Sequence, residues 1–135
     1  MVIVGAPSYF SKYGKPQTPE ELSRHNCMRY KPRSSDMEWR FVSHNNPYPV
    51  GVNSALSASD DAALRSAAIA GMGLAIMPRC FIHKELESGQ LEAVLEEYIW
   101  KPERTIYAVL PEGRLAPSRV RRFVSEMPEL LKDLW

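Results

Sequence analysis

The sequence is poor in the residues that build disulfide frameworks and metal sites. Its 135 residues include two cysteines, Cys27 and Cys80, and three histidines, His25, His44 and His83. The cysteines lie far apart and form neither a CxxC pair nor a metal knuckle, so we expect two reduced thiols in or near the core. None of the histidines has a cysteine or carboxylate partner at zinc-ligand spacing. We therefore expect no metal and no cofactor.

A strong charge of either sign and long apolar runs are also lacking. Seventeen basic against sixteen acidic residues give a formal net charge of +1, so no field over the whole surface attracts nucleic acid. The apolar start of the chain, residues 1–6, is too short and too uncharged for a signal peptide, and no run approaches transmembrane length. With 44% apolar and 24% charged residues, the composition is that of a globular protein. We predict one folded domain in the cytoplasm, with no membrane partner.

Patterns that carry catalysis are missing as well. The serines, such as Ser34 and Ser54, have no nucleophile-elbow sequence around them. The glycines at Gly71 and Gly73 end a predicted helix, whereas a phosphate-binding loop begins one. We predict no catalytic residues and no enzyme activity.

The first half of the chain shows short strands and helices. The β-branched run within residues 2–5 is typical of a buried strand, and residues 7–13 of a short helix that ends at Gly14. Residues 27–52 alternate apolar and polar side chains, which predicts strands of an antiparallel ribbon with a turn at 43–47.

A short helix is predicted between the first helix and this ribbon. Thr18 and Glu21 are spaced as a capping box, with Pro19 at the first helical position, and the helix is expected to end near His25.

The strongest helix signal lies between Ser59 and Gly71. Ser59 is the expected N-cap, and Asp60 and Asp61 occupy the first turn, where negative charge is favoured. The continuous apolar run at residues 74–77 then predicts a strand buried on both faces. This helix-to-strand unit is typical of α/β folds.

The end of the chain combines a strand with an amphipathic helix. Residues 105–110 are predicted as a strand and residues 117–135 as a helix that Pro128 should kink or interrupt. The apolar stripe of this helix comprises Val120, Phe123, Val124, Met127, Leu130, Leu131 and Leu134. Such a stripe needs a cover, so we predict self-association or helix exchange.

Three stretches together resemble a known family. Residues 4–27 contain VGAPSYF and TPEEL, residues 59–91 contain SDD and AGMGLAIMP, and residues 106–124 contain IYAVLP and LAP. Their order and spacing are similar to those of the second lobe and final helix of the effector-binding domain of LysR-type transcriptional regulators. Each stretch alone is weak, whereas the three in order span nearly the whole chain.

The resemblance implies a fold like that of the type II periplasmic binding proteins. That α/β fold has two lobes, each a mixed sheet flanked by helices, joined by two crossing strands. The chain would hold the second lobe at about 6–105, the crossing strands at about 2–5 and 106–110, and the C-terminal amphipathic helix at about 117–134, as a single α/β unit. The family's winged helix-turn-helix DNA-binding domain and most of the first lobe would be absent.

The resemblance also implies where a ligand binds. It places the start of the helix at Ser59 in the cleft between lobes, where the family uses a hydroxyl to hold polar groups of the effector. The alternative is that Ser59 only caps its helix. The expected effector-binding residues are Ser59, Asp60, Ser8, Tyr9, Met77, Pro78 and Tyr107. For the last three, core or hinge packing is the competing interpretation, and Ser8 is equally explained by capping.

The function implied is that of an effector sensor in a DNA-binding regulator. A small effector, an organic acid or an aromatic compound, would bind in the cleft and act allosterically. The partners would be this effector, further copies of the chain, and DNA only through the absent domain. The alternative is a solute-binding or transport protein of the same fold, which would need a secretion signal and both lobes.

Overall fold

A computed structural model describes residues 1–30, 38–99, 108–110 and 117–131 of the chain. It divides into two compact units, Met1–Lys101 and Pro102–Trp135. The predicted lobe, at about 6–105, corresponds to most of the first unit.

The first unit contains seven strands in its described residues. They are β1 (Val2–Gly5), β2 (Cys27–Tyr30), β3 (Glu38–Ser43), β4 (Asn46–Gly51), β5 (Ser54–Ala58), β6 (Leu74–Met77) and β7 (Glu92–Val94). Five of them form a mixed sheet in the order β5-β2-β6-β1-β7, and β3 and β4 form a separate two-stranded sheet. The fold is α/β, as the sequence predicted.

The strand directions decide which residues meet at one edge of the main sheet. Strand β2 is parallel to both β5 and β6, and β1 is antiparallel to β6 and β7. Tyr30 pairs with Ala58, and the register of β2 with β6 brings Met77 level with them. The carboxyl ends of β2, β5 and β6 therefore lie along one edge, where ligands of open α/β sheets commonly bind.

The helices of the first unit are short. They are α1 (Pro7–Tyr13), α2 (Asp61–Ile69) and α3 (His83–Glu87), with 3-10 turns at Pro19–Arg24, Arg79–Phe81 and Glu96–Tyr98. Gly14 ends α1 with a φ of 80°, a conformation that glycine adopts without strain. The predicted capping box does not form, because the Thr18 side chain makes no cap and the Glu21 carboxylate accepts from the Gln17 amide instead.

The core lies on both faces of the main sheet. On one face, Ile3, Cys27 and Leu74 pack with aromatic residues of α1 and of the β3–β4 hairpin. On the other face, the alternate strand residues pack against α2, whose Leu64 is buried. Because strands show alternate residues to opposite faces, both sides of the sheet are covered. The run at residues 74–77 is accordingly buried at three of its four positions.

The predicted antiparallel ribbon is correct for only part of its length. Strands β3 and β4 form the hairpin, turning at His44 and Asn45, which both have positive φ, as a tight hairpin turn requires. Strand β2, however, belongs to the main sheet, where it is parallel to its neighbours. Strand β5 was not predicted at all.

The second unit contains helix α4 (Ser118–Leu131). Pro128 was predicted to kink or interrupt this helix; the interruption is wrong, since α4 continues through Pro128 to Leu131. Residues 108–110 of the predicted second crossing strand carry no regular structure, and its other residues lie outside the described part. Among the described residues, no helix is long and apolar enough to cross a membrane.

Candidate functional site

A cavity opens beside the edge where β2 and β5 end, at the start of α2. Its volume is about 300 Å³. It is lined by Tyr30, Ser59, Asp60, Asp61, Ala62, Arg65 and Phe81. Tyr30 is the last residue of β2, and Ser59 follows β5 directly, so the parallel pairing of these two strands places both at the cavity.

Helix α2 begins one residue later than its sequence predicts. Asp60 is the N-cap, and its carboxylate accepts hydrogen bonds from the amides of Ala62 at 3.3 Å and Ala63 at 3.0 Å. The expectation that Ser59 caps the helix is therefore wrong. Aspartate is as good a cap as serine and adds a negative charge at the positive end of the helix, which accounts for the shift.

This shift leaves Ser59 available for another partner. Its side chain is exposed and makes no hydrogen bond within the described part of the chain. The sequence allowed the Ser59 hydroxyl either to cap α2 or to contact a ligand. Because Asp60 caps the helix, the Ser59 hydroxyl can contact a ligand without losing a capping bond. Ser59 thus presents one donor and acceptor to the cavity.

Arg65 and Phe81 also line the cavity. Arg65 lies one turn into α2, and its Nη1 is 3.6 Å from Glu85 Oε1 and 3.5 Å from the Phe81 carbonyl oxygen. These contacts tie α2 to the segment that follows β6. The Phe81 side chain is 54% exposed, which leaves its ring available to a ligand.

The structure separates Ser8 and Tyr9 from this cavity. A Cβ at Gly71, two residues beyond α2, would lie 2.9 Å from Ser8 Oγ, so Ser8 is near the C-terminal end of α2 and Ser59 near its start. A helix of this length spans about 13 Å. A small ligand at Ser59 would therefore not reach Ser8.

Tyr9 is part of a buried hydrogen-bond network. Its side chain is 2% exposed, and its hydroxyl is 3.1 Å from His25 Nδ1 and accepts from the Asn26 amide at 3.0 Å. Burial raises the pKa of Tyr9 and lowers the pKa of His25, so both side chains are neutral at pH 7. Burial likewise raises the pKa of the Cys27 thiol to about 12, which makes this cysteine a poor nucleophile.

The remaining predicted site residues lie elsewhere or outside the described part. Met77 is buried in the core and Pro78 follows it at the same sheet edge as the cavity, but neither lines it. Tyr107 is outside the described residues. In the described residues, no group of three or more His, Cys, Asp or Glu side chains could hold a metal ion.

The expected effector-binding residues did not include five that line the cavity, namely Tyr30, Asp61, Ala62, Arg65 and Phe81. Tyr30 lies within a region predicted as strand and ends β2 in the structure, and residues at strand ends line such sites. Arg65 is four residues after Asp61 and so lies on the same face of the helix. Nothing in the sequence marked Phe81, because its position depends on the packing of the segment after β6.

The comparison with known proteins now identifies the family. The sequence model of the family described as the LysR substrate binding domain matches residues 1–132. The chain belongs to this family.

Relatives of the domain are transcriptional regulators. The chain is 30% identical over 115 residues to an HTH-type transcriptional regulator of Haemophilus influenzae, covering 85% of the chain and 40% of that protein. It is 29% identical over 140 residues to the HTH-type transcriptional activator AaeR of Escherichia coli, covering 99% and 43%. The chain thus spans about two fifths of the length of these relatives.

A solved structure supports the fold. The regulatory domain of CrgA, a LysR-type transcriptional regulator from Neisseria meningitidis, superposes with a TM-score of 0.80 at 24% identity, covering 99% of the chain and 64% of that domain. At this identity the likeness shows the fold alone, which is of the type II periplasmic-binding-protein kind.

Proposed function

We propose that the chain is the effector-sensing part of a LysR-type transcriptional regulator and that the cavity at the start of α2 is one wall of its effector site. The observation that carries the proposal is the free Ser59 hydroxyl beside Tyr30 and Phe81 in a domain of this family. Cavities with a few polar groups among aromatic side chains are the usual form of small-molecule sites.

The proposal includes binding and no catalysis. Ser59 is the only serine among the described lining residues, and no histidine or other base in the described residues is bonded to it. Nucleophilic serines need such a partner. Effector binding would act by stabilising one arrangement of a longer regulator over another. DNA would be bound by a separate domain of that regulator, in the cytoplasm.

Ser59 and Ser8 offer a matched pair for testing the site. Both are exposed serines without a capping role, but only Ser59 lines the cavity. We expect Ser59→Ala to weaken binding of an effector about fivefold, the value of one hydrogen bond, and Ser8→Ala to leave it unchanged. The measurement is the rise in Tm of the chain on adding small aromatic amines, phenols and acids, followed by calorimetric titration of the compounds that raise it.

Two results would count against this assignment. Equal losses of affinity in the two serine variants would show that the ligand does not bind in the cavity. A panel in which no compound raises the Tm of the chain would remove the support for an effector site in this lobe.

We also propose that copies of the chain associate through helix α4. Phe123 and Leu130 on its apolar stripe are 61% and 66% exposed, and exposed apolar stripes of this size mark interaction surfaces. At about 50 µM, well above a micromolar Kd, we expect dimers in sedimentation velocity. Phe123→Asp should give monomers, and Ser125→Asp on the opposite face of α4 should not. A wild-type monomer at this concentration would refute the proposal.

A further inference from the structure

Among the described residues, the charges around the cavity are predominantly negative. Asp60 and Asp61 line it and Glu85 lies beside it, whereas Arg65 is the one positive charge among the described lining residues. That positive charge is already engaged, because Arg65 contacts both the Glu85 carboxylate and the Phe81 carbonyl oxygen. Asp61, by contrast, makes no ion pair or hydrogen bond through its side chain within the described residues.

The first turn of α2 offers an anion fewer free amides than a helix start usually does. Helix N-termini bind anions through the free amides of the first turn. Here the Asp60 carboxylate takes two of these amides, those of Ala62 and Ala63. The chain's own carboxylate therefore occupies the place that an effector carboxylate would take.

Two aromatic side chains complete the wall. Tyr30 is half-buried, and Phe81 is more than half exposed. Aromatic faces attract cations and also pack against apolar groups. An aromatic wall next to an unpaired carboxylate is a combination that suits an organic cation.

We propose, resting on the function proposed above, that this cavity selects a small ligand with a protonated amine. The amine pairs with the Asp61 carboxylate. Arg65 does not compete for this carboxylate, because it pairs with Glu85. The apolar body of the ligand packs on Tyr30 and Phe81, and Ser59 supplies a further hydrogen bond. The resemblance in the sequence implied an organic acid or an aromatic compound as the effector. The proposed ligand remains an aromatic compound and carries an amine in place of the acid.

Three probes of the same shape test the charge preference. Benzylamine, benzyl alcohol and benzoate share one ring and differ in the charge of the polar end. Titrated at millimolar concentration into the ¹⁵N-labelled chain, benzylamine is expected to shift the amide signals of Ser59 to Ala62 and of Tyr30. Benzyl alcohol should shift them less, and benzoate should not shift them.

Asp61→Asn and Glu97→Gln provide the matched variants. Each removes one negative charge without changing size, but Glu97 is exposed and does not line the cavity. Asp61→Asn is expected to weaken benzylamine binding about fivefold, as for one ion pair at a half-exposed site, while Glu97→Gln leaves it unchanged. The amide spectrum of each variant also shows directly whether it is folded.

The possible results separate the two proposals. Benzoate shifting the cavity amides as strongly as benzylamine would overturn the amine preference and leave the effector site in place. The same would follow from unchanged benzylamine binding in Asp61→Asn. If none of the three probes shifts these amides, both the amine preference and the site itself are overturned.

Discussion

Gly73→Ala is expected to destabilise the first unit by more than about 3 kcal/mol, since it forces a side chain against a neighbouring backbone. A Cβ at Gly73 would overlap the Asn26 carbonyl oxygen and lie 3.1 Å from both its carbonyl carbon and its Cβ. That same oxygen accepts the hydrogen bond from the Leu74 amide at 2.8 Å. The substitution would therefore push β6 away from β2 where their parallel pairing begins.

Thermal unfolding followed by circular dichroism measures this effect. For a domain of this size about 3 kcal/mol corresponds to a fall in Tm of roughly 12 °C. Gly51→Ala is the control, because Gly51 is exposed and a Cβ there meets nothing within 4 Å; its Tm should stay within about 2 °C of wild type. A Gly73→Ala variant as stable as the control would show that β2 and β6 do not pack as described.

Leu64→Ala is expected to cost about 3 kcal/mol and to loosen the start of α2. Leu64 is 1% exposed and packs among Met28, Ala75 and Ile82 between the helix and the sheet. Truncating a fully buried leucine removes its transfer free energy and leaves a cavity, a combined loss of about 2–5 kcal/mol. Because α2 carries Asp60 and Asp61 at its start, its anchoring also positions these two residues in the wall of the proposed effector site.

Urea denaturation is the measurement, and Ile69→Ala provides the comparison within the same helix. Ile69 is 36% exposed, so its truncation should cost less than about 1.5 kcal/mol. The Leu64→Ala variant should also bind benzylamine more weakly than the wild type does, whereas Ile69→Ala should not. Equal losses of stability in the two variants would contradict the packing of α2 on the sheet.

The parts of the fold predicted from the sequence are those whose own residues determine them. The buried run at residues 74–77 and the helix at 61–69 have apolar patterns and caps that act locally. Strand β5 was missed because its serines and alanines have low β propensity, and it forms through pairing with β2. Pairing partners are a property of the whole fold and leave no local signal.

The assignment of β2 to the hairpin failed for a related reason. An alternating pattern identifies a strand and the face it buries, but it does not identify the neighbours of that strand. Residues 28–31 and 38–41 both alternate, yet β2 lies between β5 and β6 while β3 and β4 pair with each other.

Of the residues that line the candidate site, Ser59 and Asp60 at the start of α2 were predicted from the sequence, and Phe81 was not. Ser59 and Asp60 were found because a helix start is visible in the sequence, although their roles in capping were exchanged. Ser8 and Tyr9 were proposed from the resemblance alone, and the packing of Ser8 against Gly71 places them far from Ser59. Phe81 belongs to the wall only because Arg65 and the segment after β6 meet across it.

The two prolines of β4 restrict how copies of this chain can assemble. Pro47 and Pro49 lie opposite Val42 and Arg40 in the hairpin and have no amide hydrogen to donate, so they occupy positions whose nitrogen points away from β3. A strand from another copy would find no donor at two successive positions along this edge. The outer edge of β4 is thereby protected from strand addition, and any strand pairing between copies must use another edge.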